Sequence, residues 1–210
     1  MTRSRLLLPL AGAALALAFL LPTPILRADY PQPSPFPVSW ELTVDFAKPR
    51  RILVQSPGDD TLKPYWYITY HVVNNTDKDT ILFYPSFDLL TQDGQVIHSD
   101  SIDVKPAVFA AIQDKERIKF LQDANDIAGP LRQGDDQSKD GVAIWPEPNP
   151  RMGTFSIFAS GFWGESAIVK VADATLVLHK TLQETFHLDS DAAHPGEGAL
   201  VQEDSQYVMR

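Results

Sequence analysis

Hydrophobic and polar residues alternate with a period of two along much of this chain. Trp40, Leu42, Val44 and Phe46 alternate with Glu41, Thr43 and Asp45, which predicts a half-buried strand. Arg51 to Gln55 reads as a second short strand, and Ser56-Pro57-Gly58-Asp59-Asp60 as a turn or loop. Tyr65 to Val73 is dense in aromatic and β-branched residues on both parities, which predicts a central strand covered on its two faces. Ile81 to Thr91 forms the next strand region, with Pro85 marking a bulge or an edge. Asp93-Gly94 sits between Leu89-Leu90 and Val96-Ile97. That predicts a hairpin, because a tight turn needs positive φ at its two central residues.

The pattern changes between Pro106 and about Ala124. Val108, Phe109, Ile112, Ile118, Phe120 and Leu121 stand among charged residues without glycine, predicting one or two short helices with a polar break near Asp114. Asn125 to Asp140 is a polar loop. Strand signals return at Gly141–Trp145, Thr154–Ala159, Ala167–Val171 and Leu176–Leu188, with Gly161-Phe162-Trp163-Gly164-Glu165-Ser166 as a turn. From Asp189 to Ser205 small and acidic residues dominate and suggest a mobile tail, from which Tyr207-Val208-Met209 could return to an edge. Short strands at regular spacing with one helical insertion imply a mainly β fold, a sandwich or a barrel.

The start of the chain has a different character. Arg3 and Arg5 precede an apolar run from Leu6 to Leu21, Pro22 and Pro24 end it, and Ala28 follows as a small residue. A positive start, a short apolar run and a small residue form the pattern of a secretory signal peptide over residues 1–28. An uncleaved anchor is the alternative, but the run has 16 residues, broken by Pro9 and Gly12, against about 20 for a spanning helix. Residues 29–38 carry four prolines and predict a stiff, extended leader. The expected organisation is then a sandwich domain over 39–188 and a partly mobile acidic tail over 189–210, with the folded part outside the cytoplasm, periplasmic or on the cell surface.

Charge and cysteine content narrow the function. The net charge of -9 becomes -12 once Arg3, Arg5 and Arg27 leave with a cleaved signal. Such acidity opposes contact with nucleic acid or anionic lipid, and no membrane insertion is expected after cleavage. The absence of cysteine excludes a lipid-modified cysteine, a thiol redox motif, Cys-ligated zinc and blue copper. No cofactor is expected.

Candidate sites are few. His71, His98, His179, His187 and His194 share no metal-binding spacing, and His179 and His187 are separated by about 26 Å if their segment is extended. Asp135, Asp136 and Asp140, flanked by Gly134 and Gly141, are candidate calcium ligands, although their order does not match an EF-hand loop. No Gly-x-Ser-x-Gly elbow is present, and Asp88/Asp93 and Glu184/Asp189 carry no mark of a glycosidase pair. Asn74-Asn75-Thr76 fits the glycosylation sequon. Among Tyr65, Trp66, Tyr67, Tyr70, Trp145, Phe158, Phe162 and Trp163, most are expected in the core. Phe162 and Trp163 are expected at the surface as a binding contact, because a glycine-flanked turn usually lies there.

Three stretches carry a resemblance. Asp29-Tyr30-Pro31-Gln32-Pro33-Ser34-Pro35, Tyr65-Trp66-Tyr67-Ile68-Thr69-Tyr70 closing in Val72 to Asn74, and Gly141-Val142-Ala143-Ile144-Trp145-Pro146 resemble an exported, uncharacterised protein family of planctomycete-type bacteria. Lys180-Thr181-Leu182-Gln183 extends the likeness towards the end of the chain. The Val-x-Asn close, the Phe87-to-Gly94 hairpin and the Gly134-Asp135…Gly141-Val142 pair are similar to immunoglobulin-like domains of bacterial surface proteins and lipoproteins. The resemblance implies an immunoglobulin-like antiparallel β-sandwich and brings no catalytic residue with it. The resulting expectation is an exported, non-enzymatic binding or structural module of the bacterial envelope, with an envelope protein or polysaccharide as partner. The alternatives are an envelope-polymer hydrolase using loop carboxylates and His98 or His187, and a calcium-dependent adhesion module.

Overall fold

The computed structural model describes residues 30–99, 106–147, 153–189 and 199–210. The signal-peptide segment 1–28 and residues 190–198 of the expected tail lie outside the described residues. Strand occupies 57% of what is described and helix 11%, which makes the chain mainly β. The first strands are β1 (Thr43–Phe46), β2 (Arg50–Val54), β3 (Lys63–Val73), β4 (Thr80–Phe83), β5 (Ser86–Thr91) and β6 (Val96–His98). Helix α1 (Pro106–Glu116), β7 (Leu121–Gln122), helix α2 (Ala124–Ile127) and β8 (Gly129–Arg132) follow. The chain continues through β9 (Lys139–Pro146), β10 (Thr154–Ser160), β11 (Ser166–Val171), β12 (Ala174–Asp189) and β13 (Ala199–Met209).

Two sheets face each other. In the first, β1 and β2 lie end to end on one edge of β3, and β9 and β7 follow on the other side. In the second, the order is β6-β5-β10-β12-β13, with β11 continuing the edge of β12 that β10 occupies. The alternation read from the sequence decides which side chains meet. Trp66, Ile68, Tyr70 and Val72 of β3 point between the sheets, against Phe87 and Leu89 of β5 and Phe155 and Ile157 of β10. Ring centroids of Trp66 and Phe155 are 5.5 Å apart and those of Tyr70 and Phe87 5.0 Å, so this layer is built largely of aromatic contacts between sheets.

The odd residues of β3 face the other way. Tyr65 and Tyr67, with Val142 and Ile144 of β9, form a second core beneath Val108 and Ile112 of α1. This is the two-sided cover that the composition of Tyr65–Val73 predicts. The Tyr67 hydroxyl donates to Glu116 at the end of α1 over 2.5 Å, and Arg50 also pairs with that carboxylate, tying the helix to the sheet. Glu147, at the end of β9, has a fully buried side chain; Arg51 donates to it at 2.8 and 3.1 Å and the Trp66 indole at 3.1 Å.

Several sequence expectations change here. Ile81–Thr91 is two strands, because the chain leaves β4, which pairs with β8, and enters β5 of the second sheet on either side of Pro85. The helical insertion ends at Glu116; Leu121-Gln122 pairs parallel to β9 instead of continuing the helix, and α2 follows. Residues 199–209 are a strand rather than a mobile tail, pairing along β12 from Asp189 to Lys180. The acidic residues of β13 fit there because its polar positions face solvent. The proline-rich leader is tied down: the Ser34 amide donates to Glu165 at 2.8 Å, and the buried Lys180 beside Glu165 pairs with Glu41 at 2.7 Å.

Candidate functional site

The Phe162-Trp163 turn is core, which corrects its expected exposure. Phe162 is 0% exposed and Trp163 6%. Gly161 lies at φ +89°, and a Cβ on it would strike the Tyr84 carbonyl; one on Gly164 would strike the Trp40 indole. The glycines therefore let the turn fold inwards, where Leu42 donates to the Phe162 carbonyl and Gly164 to the Trp40 carbonyl, each at 2.9 Å. The glycines that suggested a surface turn are what allow it to be buried.

The three aspartates are not gathered round one point. Asp135 and Asp136 lie exposed in a short 3-10 turn over Asp135–Gln137, whereas Asp140 belongs to β9 and its carboxylate meets His71 at 2.7 Å. Among the described residues, no group of three or more His, Asp or Glu is placed to hold a metal ion, and the candidate calcium ligands Asp135, Asp136 and Asp140 are not brought together. Asn74 of the sequon is fully buried. Its amide donates to the Lys78 and Leu131 carbonyls and its oxygen accepts from Thr76, so the side chain is spent as a turn cap.

The histidines are dispersed over different partners. His98 meets the Asp88 carboxylate, which also takes Arg210 at 2.6 Å, and His187 meets Thr154 at 3.1 Å. His179 lies exposed on β12, and His194 is outside the described residues. His71 differs. The registers β1-β3-β9 set Asp45, His71 and Asp140 side by side in one row on the outer face of the first sheet. A cleft of about 330 Å³ opens there, lined also by Ala47, Thr69, Tyr70 and Ile118. With Nδ1 donating to Asp140, the other ring nitrogen of His71 is left to accept a proton, and Asp45 adds a second carboxylate for a cationic group. No local signal in the sequence marks this row, since His71 and Asp140 are 69 residues apart and meet only through strand register.

A second feature is an exposed arm. β11 and the first half of β12 form a hairpin through Ala172-Asp173, with Ala172 at φ +51°. One side of this ribbon carries Ile168 and Val177, which are 71% and 53% exposed. The other side carries Ala167, Val169 and Val171 against Leu178, Leu176 and Ala174. The parity that sends Leu182 and Phe186 of β12 into the core carries Leu178 and Leu176 beyond it. An isolated two-stranded ribbon is marginal in water, and contiguous exposed aliphatic surface is a common feature of interaction surfaces. From sequence the arm reads like any buried strand, because apolar residues on both parities also describe β3. Comparison with protein-family models, with curated proteins and with solved structures found no match to this chain.

Proposed function

We propose that the chain is an exported binding or structural module of the bacterial envelope, built as an immunoglobulin-like sandwich. The strand order supports the fold reading: β1, β3, β9 and β7 stand where A, B, E and D stand in that fold, and β6, β5, β10 and β12 where C′, C, F and G stand. β7 departs from it by running parallel to β9, and β13 adds a strand beyond β12. The signal-peptide pattern of residues 1–28 supports export, to the periplasm or the cell surface. The observation that carries the binding role is the arm, which exposes Ile168 and Val177 on one face and Val171 and Leu176 on the other, apolar surface that the Phe162-Trp163 turn does not supply. These side chains are aliphatic, whereas sugars stack on aromatic faces, so the arm fits a protein partner better than a polysaccharide.

A hydrolytic reading rests on a different observation, the His71-Asp140 pair beside Asp45 in its cleft. One experiment separates the two. A photo-crosslinking side chain is placed at position 168, and separately at position 71, and each chain is added to an envelope extract; purified peptidoglycan is assayed in parallel for soluble fragments. The binding reading expects protein adducts from position 168, few from position 71, and no fragments. Fragment release that His71→Ala abolishes would establish the hydrolytic reading, and equal adducts from both positions would remove the arm as the contact.

A further inference from the structure

We infer that the partner the arm fits is a second copy of this chain, joined to the first through β11; the inference rests on the arm being the contact surface. The backbone decides which groups are available. His179 exchanges both main-chain hydrogen bonds with Arg210 on the β13 side, whereas the Lys180 amide donates to Glu165 on the β11 side. Alternation then directs Leu178, Leu176 and Ala174 towards Ala167, Val169 and Val171. The main-chain N–H and C=O groups of Ser166, Ile168 and Lys170 therefore point outwards along an edge that pairs with no strand among the described residues.

This edge is complementary to itself. Antiparallel pairing of two copies about a two-fold axis at Ile168 sets Ile168 opposite Ile168 and Ser166 opposite Lys170. Every outward group on these three residues then finds a partner, in about six main-chain hydrogen bonds. On one face the four-stranded ribbon carries a continuous row Val177-Ile168-Ile168-Val177, centred on the most exposed aliphatic side chain of the arm. On the other face Ala167 and Val169 of the two copies meet between Leu178 and Leu176.

The charges agree with this pairing. The whole chain carries -9, yet the strand and turn of the arm hold only Lys170 and Asp173, of opposite sign, and the two lysines stand opposite serines rather than each other. Edge strands left free are commonly protected by proline, bulges or several charges, and β11 has one lysine and no proline. Two-fold pairing uses the edge on both copies and so closes at a dimer.

The chain has no cysteine, which makes a register test direct. Ile168→Cys and Lys170→Cys are prepared as separate full-length variants and exposed to a mild oxidant at equal concentration. Residues opposed in a hydrogen-bonded antiparallel pair have Cα atoms about 5.5 Å apart, within disulfide reach, whereas the two position-170 residues stand four positions apart in register. The expected result is covalent dimer at least about 10-fold faster from Ile168→Cys than from Lys170→Cys, with sedimentation velocity of the unmodified chain showing concentration-dependent dimerisation. Equal rates, or a faster Lys170→Cys, would overturn the pairing. So would a chain that stays monomeric at all concentrations, and photo-adducts from position 168 to a different protein would then leave the binding module standing without its self-association. The melting temperature of each reduced variant should match that of the unmodified chain, which separates lost pairing from lost folding.

Discussion

Replacing Phe162 by alanine is expected to lower the stability of the domain by about 3–5 kcal/mol, the range for truncating a buried aromatic ring. The ring has no exposed surface and lies 5.2–5.7 Å, centroid to centroid, from the rings of Phe83, Phe46, Tyr70, Trp163 and Phe87. It joins the first sheet through Phe46 and Tyr70 to the second through Phe87, so the cavity left by alanine lies where elements from both sheets meet and cannot collapse from one side alone. Domains of this size are stable by about 5–15 kcal/mol, so the loss is a large fraction of the total. Urea unfolding with a lower midpoint and an unchanged slope would register it. A midpoint that does not move would return the turn to the surface, where a reading of its glycines alone puts it.

A comparable loss is expected from Arg51→Met. Glu147 has a side chain with no solvent exposure, and Arg51 supplies its charge partner at 2.8 Å, with the Trp66 indole as the other donor. Removing the guanidinium leaves a buried carboxylate held by one neutral donor, and breaking such a pair costs about 3–5 kcal/mol. The cost belongs to the stranded charge rather than to the pair, so Arg51→Met combined with Glu147→Gln should recover much of it. Thermal or urea unfolding of the two single variants and the double variant forms the test cycle. If Arg51→Met is within about 0.5 kcal/mol of the unmodified chain, typical of a surface position, the carboxylate is not buried as described.

Local pattern was enough to reveal most strands, because alternation is a property of neighbouring residues. The two-sided composition of Tyr65–Val73 anticipated a strand covered on both faces, and in the structure the second sheet covers one and α1 the other. The hairpin at Asp93-Gly94 was equally legible, but its turn differs from the two-residue form expected. The loop is Gln92-Asp93-Gly94, Gly94 donates to the Thr91 carbonyl at 3.0 Å, and of Asp93 and Gly94 only Gly94, at φ +86°, takes a positive φ. What escaped depended on partners distant in sequence. The acidic residues of 199–209 look disordered until β12 supplies ten residues of pairing, and the turn at Gly161 looks exposed until the backbone of Tyr84 is known to lie against it.

The candidate site was less legible than the fold, for the same reason. Asp45, His71 and Asp140 become one row only through two strand registers. Asp140 was visible as an acidic residue in an aspartate-rich stretch, but the start of β9 at Lys139 separates it from Asp135 and Asp136. The arm failed differently. Its residues were read correctly as strands, yet no local signal distinguishes an apolar strand that is covered from one that extends past the layer above it.

Residue-resolved hydrogen exchange of the dilute chain tests the account most directly. Leu42, whose amide is bonded to the Phe162 carbonyl inside the core, should be among the slowest. Ser166, Ile168 and Lys170 should exchange on the order of 100-fold faster than Ala167, Val169 and Val171, whose amides point to β12. The contrast should shrink as the concentration rises and the free edge is occupied. Protection of Ile168 as strong as that of Leu42 in the dilute chain would contradict the account, because β11 would then have no free edge to offer.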